Sequence, residues 1–372
     1  MKTTIKSVPF FDYPRLFLDD KEELTNIFIE IGERGAFIMQ KDVLEFENTL
    51  AKYTDSKYAI GVANATDGLE LAWLALNLES GDEVICCSHT MLATAAAIKL
   101  SGGVPVPVEL GADNLIDPDA ISNAITNRTV GIMPTQLNGR TCDMGRIMAI
   151  AKKHDLYVVE DAAQALGSTF KGKHAGTFGD ASAISFFPAK VMGSLGDAGA
   201  VLTNDEKMHD KLYQLHDHGR DINGEVKSWG RNSRLDNLQA AILNYRFKTY
   251  SNVINRRREI AQIYQSRLEQ LHEIQLPPAP NSDPNHFDVY QNYELQANNR
   301  DKLAEYLRQN NIGTLVQWGG KAVHQWDALG YALRLPSVER FFERCLMLPI
   351  NMFVTDDDVH YVADKVISFY RS

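Results

Sequence analysis

Short apolar runs alternate with helical patterns from residue 58 onward. YAIGVA at 58–63 precedes a helix through Leu69 to Leu76, DEVICC at 82–87 precedes one from about Met91 to Leu100, and VPVPVE follows at 104–109. Such runs, bounded by turn residues and separated by amphipathic helices, read as βαβα. The rhythm continues through TVGIMPT at 129–135, a helix from about Met144 to His154, LYVVEDA at 156–162, AISFF at 183–187 and AVLTN at 200–204. It predicts an α/β fold built on a mostly parallel, helix-covered sheet of about seven strands.

After Asn232 the pattern changes to a long charged helical stretch through about Leu271, and the Pro-rich LPPAPNSDPN at 276–285 then breaks both helix and sheet. FDVYQNYELQ at 287–296 predicts a strand, RDKLAEYLRQNN at 300–311 a helix, and residues from about Asp356 to Tyr370 a last helix. Three parts are expected: an N-terminal segment, 1–50, packing across both domains; a large domain, 51–245; and a smaller α+β C-terminal domain, 246–372.

The length of 372 residues fits this division, since single cores rarely grow past about 250–300 residues. A net charge of −10 argues against a nucleic-acid footprint. The one cationic run, Arg256 to Arg258, falls in a helical pattern and reads as a solvated face. Cys86, Cys87, Cys142 and Cys345 form no CxxC pair, so neither a disulfide framework nor a metal site is expected. The N-terminus lacks an apolar signal core, and no stretch of about 18 apolar residues occurs elsewhere. A cytoplasmic protein that does not enter membranes is expected.

Three segments carry candidate chemistry. In ISFFPAKVMGSLGDAGAVLTND at 184–205, Pro188 ends a strand and delivers Lys190 on a loop whose Gly193, Gly196 and Gly199 permit close backbone approach to a ligand. A lysine there can form a Schiff base. In LYVVEDAAQALG at 156–167, a strand terminates at Asp161, which a doubly wound sheet points into its ligand crevice, with Gln164 one turn later. In VANATDGLELAW at 62–73, a strand enters a helix through Asn64 to Gly68, offering free N–H groups and a positive dipole end to a phosphate. Phosphate cradle, acid and lysine, in that order, match the three handles of pyridoxal phosphate: its phosphate, ring nitrogen and aldehyde carbon.

KDVLEFENTLAKYTDSKYAIGVANATDGLELAWLAL, GDEVICCSHTMLATAAAIKLSGGVPVPVE, VVEDAAQALGSTFKGKHAGTFGDASAISFFPAK, GDAGAVLTND, RNSRLDNLQAAIL and LMLPI span nearly the whole chain. In these motifs the sequence resembles the sugar aminotransferases of the DegT/DnrJ/StrS family, of fold type I architecture. The resemblance implies that Lys190 is the Schiff-base lysine, Asp161 the partner of the pyridine nitrogen, and Gln164 a neighbour of the ring hydroxyl. It assigns the phosphate to Thr66, the Asp67 backbone and Ser185. It also implies a homodimer, in which Asn232 of the G-x-N-x-R segment reaches the phosphate of the neighbouring protomer with Arg234 nearby.

Three departures from the family pattern stand out. Met91 in SHTM occupies the usual place of an aromatic residue stacked on the cofactor ring, so stacking passes to His89 or to the Met sulfur unless Met91 is simply core. TQLNG at 135–139 replaces the commoner HLYG. TLVQWGGKAVHQ at 314–325 replaces a His-Tyr-Pro pattern, marking Trp318, Lys321 and His324 as altered substrate contacts. The implied reaction is ping-pong transfer of an amino group from L-glutamate to a keto sugar bound for lipopolysaccharide or a related glycan. Two substrate classes stay open: a nucleotide-linked 3- or 4-keto deoxysugar, and free 8-oxo-3-deoxy-octulosonate, whose carboxylate Lys321 could meet. The alternative class is a cofactor-binding regulatory protein without turnover.

Overall fold

A computed structural model describes residues 6–371. Seven strands form the main sheet: β1 (Tyr58–Val62), β2 (Glu83–Cys87), β3 (Val104–Val108), β4 (Thr129–Met133), β5 (Tyr157–Asp161), β6 (Ala181–Ser185) and β7 (Gly199–Thr203). Their order is β1-β7-β6-β5-β4-β2-β3. β7 runs antiparallel to both of its neighbours, and the remaining pairs are parallel. The expected sheet is therefore present. β6 stops at Ser185, two residues short of the AISFF run, so that Phe187 is left at the sheet edge.

Both faces of the sheet are covered, which is why its strands read as continuous apolar runs rather than alternating ones. One face packs Leu69, Ala72 and Trp73 against Val84, Val159 and Val201; the other packs Ile85 and Ile132 against Ile147 and Val158. Gly131 allows a close fit, because a Cβ there would lie 2.4 Å from the Trp73 ring.

Beyond residue 232 the chain departs from expectation in three places. The long helical stretch is two helices, Asn237–Phe247 and Tyr250–Leu268, which turn at Lys248 and Thr249. The run at 287–296 is likewise split, into His286–Phe287 and Tyr293–Ala297, around Tyr290 at φ 50°. The cationic run is not a solvated face: Arg257 is 1% exposed. Its Nη1 donates to the carbonyls of Tyr290 (3.0 Å) and Gln291 (3.1 Å), and so holds the bend between those two strands. A second sheet joins Ile274–Gln275, Tyr293–Ala297 and Cys345–Leu348, all antiparallel. Its core includes Val8, which exchanges backbone hydrogen bonds with Asn311 and Gly313.

The glycines after Lys190 serve the chain's own packing rather than leaving room for a ligand. A Cβ at Gly193 would stand 2.2 Å from the Pro188 carbonyl oxygen, and one at Gly199 would stand 2.5 Å from the Asn64 carbonyl carbon. Gly199 thus lets β7 pass directly beneath the start of the Ala65–Ala75 helix. Gly199→Ala is expected to lower stability by about 1–3 kcal/mol, the usual cost of overpacking. Thermal unfolding checks this; an unchanged melting temperature would contradict the close approach.

Candidate active site

Strand ends and helix starts converge on one cavity of about 450 Å³ at the carboxyl edge of β4, β5 and β6. Asn64, Thr66, Met91, Thr135, Asp161, Gln164, Ser185, Lys190 and Trp318 are among its lining residues. Lys190, Gln164, Phe187 and Trp318 also border an adjoining cavity of about 490 Å³, which reaches Phe10, Tyr13, Arg257 and Asn292. Lys190 therefore stands at the junction of the two spaces.

The last two residues of β5 point opposite ways, as strand alternation requires. Glu160 is fully buried away from the cavity, where it accepts from the N–H groups of Gly176 (2.7 Å), Phe178 (2.6 Å) and Gly179 (3.0 Å) and from Gln136 (2.7 Å). Asp161 faces the cavity at 4% exposure. Burial raises its proton affinity, opposed by a hydrogen bond from Thr94, the Ala163 N–H and the charge of Lys190. Thr94 Oγ1 donates to Asp161 Oδ2 at 2.6 Å; Thr90 Oγ1 lies 2.7 Å from Thr94 Oγ1 and 2.8 Å from Thr135 Oγ1. Because an ionised carboxylate only accepts, the hydroxyl chain runs in one direction, from Thr135 through Thr90 and Thr94 to Asp161. Thr90 and Thr94 escaped the sequence reading, although their four-residue spacing across a helix start could have marked them.

Burial pulls the Lys190 ammonium down to about 8, with the Asp161 charge opposing. Its loop is clamped from both sides by one side chain. Gln291 Oε1 accepts from Val191 N at 2.8 Å, while its Nε2 donates to the Ala189 carbonyl at 3.0 Å. Arg257, by holding the Gln291 carbonyl, braces that clamp.

At the third corner, Asn64 caps the Ala65–Ala75 helix by accepting from Asp67 N at 2.9 Å. This spends the Asp67 N–H expected to hold phosphate. Among the described residues, the N–H groups of Ala65 and Thr66 keep no partner, and Thr66 and Ser185 border the same space. Amine, buried carboxylate and free helix N-terminus around one cavity suit the aldehyde, ring nitrogen and phosphate of pyridoxal phosphate.

Other expected site residues lie elsewhere. His89 is buried, its ring 4.2 Å from that of Phe341 and its Nδ1 2.8 Å from the Asn114 carbonyl, and it does not border the cavity; Met91, 51% exposed, does. His324 is tied to Ser88 at 2.7 Å and Glu339 at 3.3 Å, and Lys321 lies over the Trp326 ring at 5.0 Å. Neither borders the cavity. Arg234 pairs with Asp217 at 2.9 Å, and Asn232 is an exposed residue bridged to Asp217, both outside this chain's cavity. Trp318 remains, held at φ 49° and ψ 40°, a conformation costly for a large side chain and characteristic of functional sites.

The model of the DegT/DnrJ/EryC1/StrS aminotransferase family matches residues 18–367. A pleiotropic regulatory protein of Geobacillus stearothermophilus is 34% identical, covering 98% of this chain and 99% of its own. The dTDP-3-amino-3,4,6-trideoxy-alpha-D-glucose transaminase of Streptomyces venezuelae is also 34% identical, covering 96% and 95%. The crystal structure of NtdA from Bacillus subtilis with bound cofactor PMP superposes with a TM-score of 0.91 at 31% identity, covering 100% of this chain and 87% of that one.

With a depressed proton affinity, Lys190 is expected to react with an amine-directed acylating reagent in cofactor-free protein with a midpoint near pH 8. Peptide mass spectrometry against pH measures it. A midpoint near the ordinary lysine value of about 10.4 would contradict the burial argument.

Proposed function

This chain belongs to the DegT/DnrJ/EryC1/StrS aminotransferase family, and on that premise we propose that it transfers an amino group from L-glutamate to a nucleotide-linked keto sugar. The observation that carries the reading is Lys190 and Asp161 facing one cavity whose third corner is a free helix N-terminus. Bound pyridoxal phosphate supplies a carbonyl that captures amines and a ring that withdraws electrons while its nitrogen stays protonated.

The protein's share follows from its own groups. Asp161, whose carboxylate form Thr94, the Ala163 N–H and the Lys190 charge favour against the effect of burial, would hold a proton on the ring nitrogen. Lys190 Nζ, with its proton affinity lowered to about 8, both gives up and takes back a proton near neutrality, as a shuttle between substrate carbons requires. Ala65, Thr66 and Ser185, which line the cavity, would hold the phosphate, and Met91 at the same cavity would offer its sulfur to the ring.

Lys321, which suggested a free acidic sugar, is turned onto Trp326, so the nucleotide-linked sugar is the better supported substrate. We extend the reading to a cytoplasmic homodimer serving glycan assembly. Its support is the 218–232 loop, where Ile222, Val226 and Trp229 are exposed by 84%, 70% and 97% and Asn232 is exposed and does not line its own cavity. Large apolar side chains grouped in this way mark a contact surface.

Borohydride treatment of the cofactor-loaded protein is expected to fix the pyridoxyl group on the peptide holding Lys190. Lys190→Ala and Lys190→Arg are each expected to abolish turnover. Asp161→Asn is expected to lower kcat by about two orders of magnitude or more, as loss of a charge-stabilising group does. Cofactor fixed on another lysine, or turnover by either Lys190 variant, would sink the assignment. Cofactor binding without any response to amino donors would favour the regulatory alternative.

A further inference from the structure

Two segments, TQLNG at 135–139 and TLVQWGG at 314–320, meet around one buried carboxylate. Glu294 is 5% exposed and lies on the second sheet. Its Oε2 accepts from Asn138 Nδ2 at 2.6 Å and its Oε1 from Gln317 Nε2 at 2.9 Å. His89 Nε2 stands 3.5 Å from Oε2.

Amide orientation follows from this carboxylate by donor and acceptor logic alone. An ionised carboxylate has no proton to give, so both amides must turn their NH2 ends toward it. Asn138 Oδ1 then faces away, and accepts from Gln317 Nε2 at 3.1 Å and from Asn292 Nδ2 at 2.7 Å. Asn292 Nδ2 also points at Gln164 Oε1, at 3.4 Å, and the Asn138 backbone N–H donates to the same oxygen at 2.8 Å. With its oxygen committed to two donors, Gln164 has only its NH2 end left for the cavity shared with Lys190.

We propose that Glu294 is a positioning residue which, through Asn138, Asn292 and Gln317, locks the Gln164 amide so that it presents a hydrogen-bond donor to the cofactor ring oxygen. The inference rests on the cofactor reading above. It gives the two segments a joint role: each supplies an amide to the same carboxylate. It also accounts for the left-handed backbone of Asn138, at φ 57°, which brings its N–H to Gln164 while its side chain reaches Glu294.

The test measures pyridoxal phosphate binding by wild type, Glu294→Gln, Gln164→Ala and the double variant, reading the dissociation constant and the pH midpoint of the bound cofactor's visible absorption. Thermal unfolding of each cofactor-free protein checks the fold. Glu294→Gln is expected to weaken binding roughly tenfold, the scale of one lost hydrogen bond, and to move the absorption midpoint in the same direction as Gln164→Ala. The double variant is expected to lose no more than Gln164→Ala alone, because both changes remove one interaction. If Glu294→Gln does not fold, Asn292→Asp, which sets an acceptor where Gln164 needs a donor, carries the same expectations. Additive losses, or an unmoved absorption midpoint, would overturn the assignment while leaving the cofactor reading intact. Wild type that binds no cofactor would overturn the reading beneath it.

Discussion

Two opposite charges, Asp161 and Lys190, border one cavity at the sheet edge, and their burial is the constraint that the surrounding structure answers. Burial alone would protonate the carboxylate and discharge the amine, each by several kcal/mol for an isolated ion. The fold resists both shifts with named groups. A directed chain of three threonine hydroxyls ends on Asp161. Lys190 keeps Asp161 as its counter-charge, and Gln291 grips the backbone on either side of it. The amine is thereby left part of the way down, near neutrality, where it can exchange protons in both directions.

Support for that centre comes from parts far apart in sequence. Arg257 ties the long C-terminal helix to the Tyr290 bend, and through Gln291 to the lysine loop. Glu294, one strand position away from Tyr293 in the second sheet, orders the amides that reach Gln164. The second sheet thus contributes orientation to the site. Core packing sets the position of the elements, and a few committed hydrogen bonds set the direction of the groups that meet the ligand.

Much of this was legible in the sequence. Strands buried on both faces leave uninterrupted apolar runs, so all seven members of the main sheet could be read, as could the placement of Asp161 at a strand end and of Lys190 on the loop after another. What could not be read depends on tertiary partners. Arg257 looks like any helical arginine until the Tyr290 and Gln291 carbonyls are set against it. His89 sits beside Met91 in the chain, yet its ring packs on Phe341, some 250 residues later, and does not border the cavity. Asp67 lost its expected N–H because Asn64 caps the helix first. Lys321 had a chemically sensible partner in the substrate, but it lies over Trp326.

The central claim, a lysine and a carboxylate arranged to move an amino group in two halves, is tested most directly by single turnover. Cofactor-loaded protein is treated with L-glutamate, freed of donor, and then given a nucleotide-linked keto sugar while its visible absorption is followed. The account predicts loss of the absorption band with glutamate and its return with the sugar, both abolished in Lys190→Ala. A band that never responds to amino donors, in protein that holds its cofactor, would contradict it.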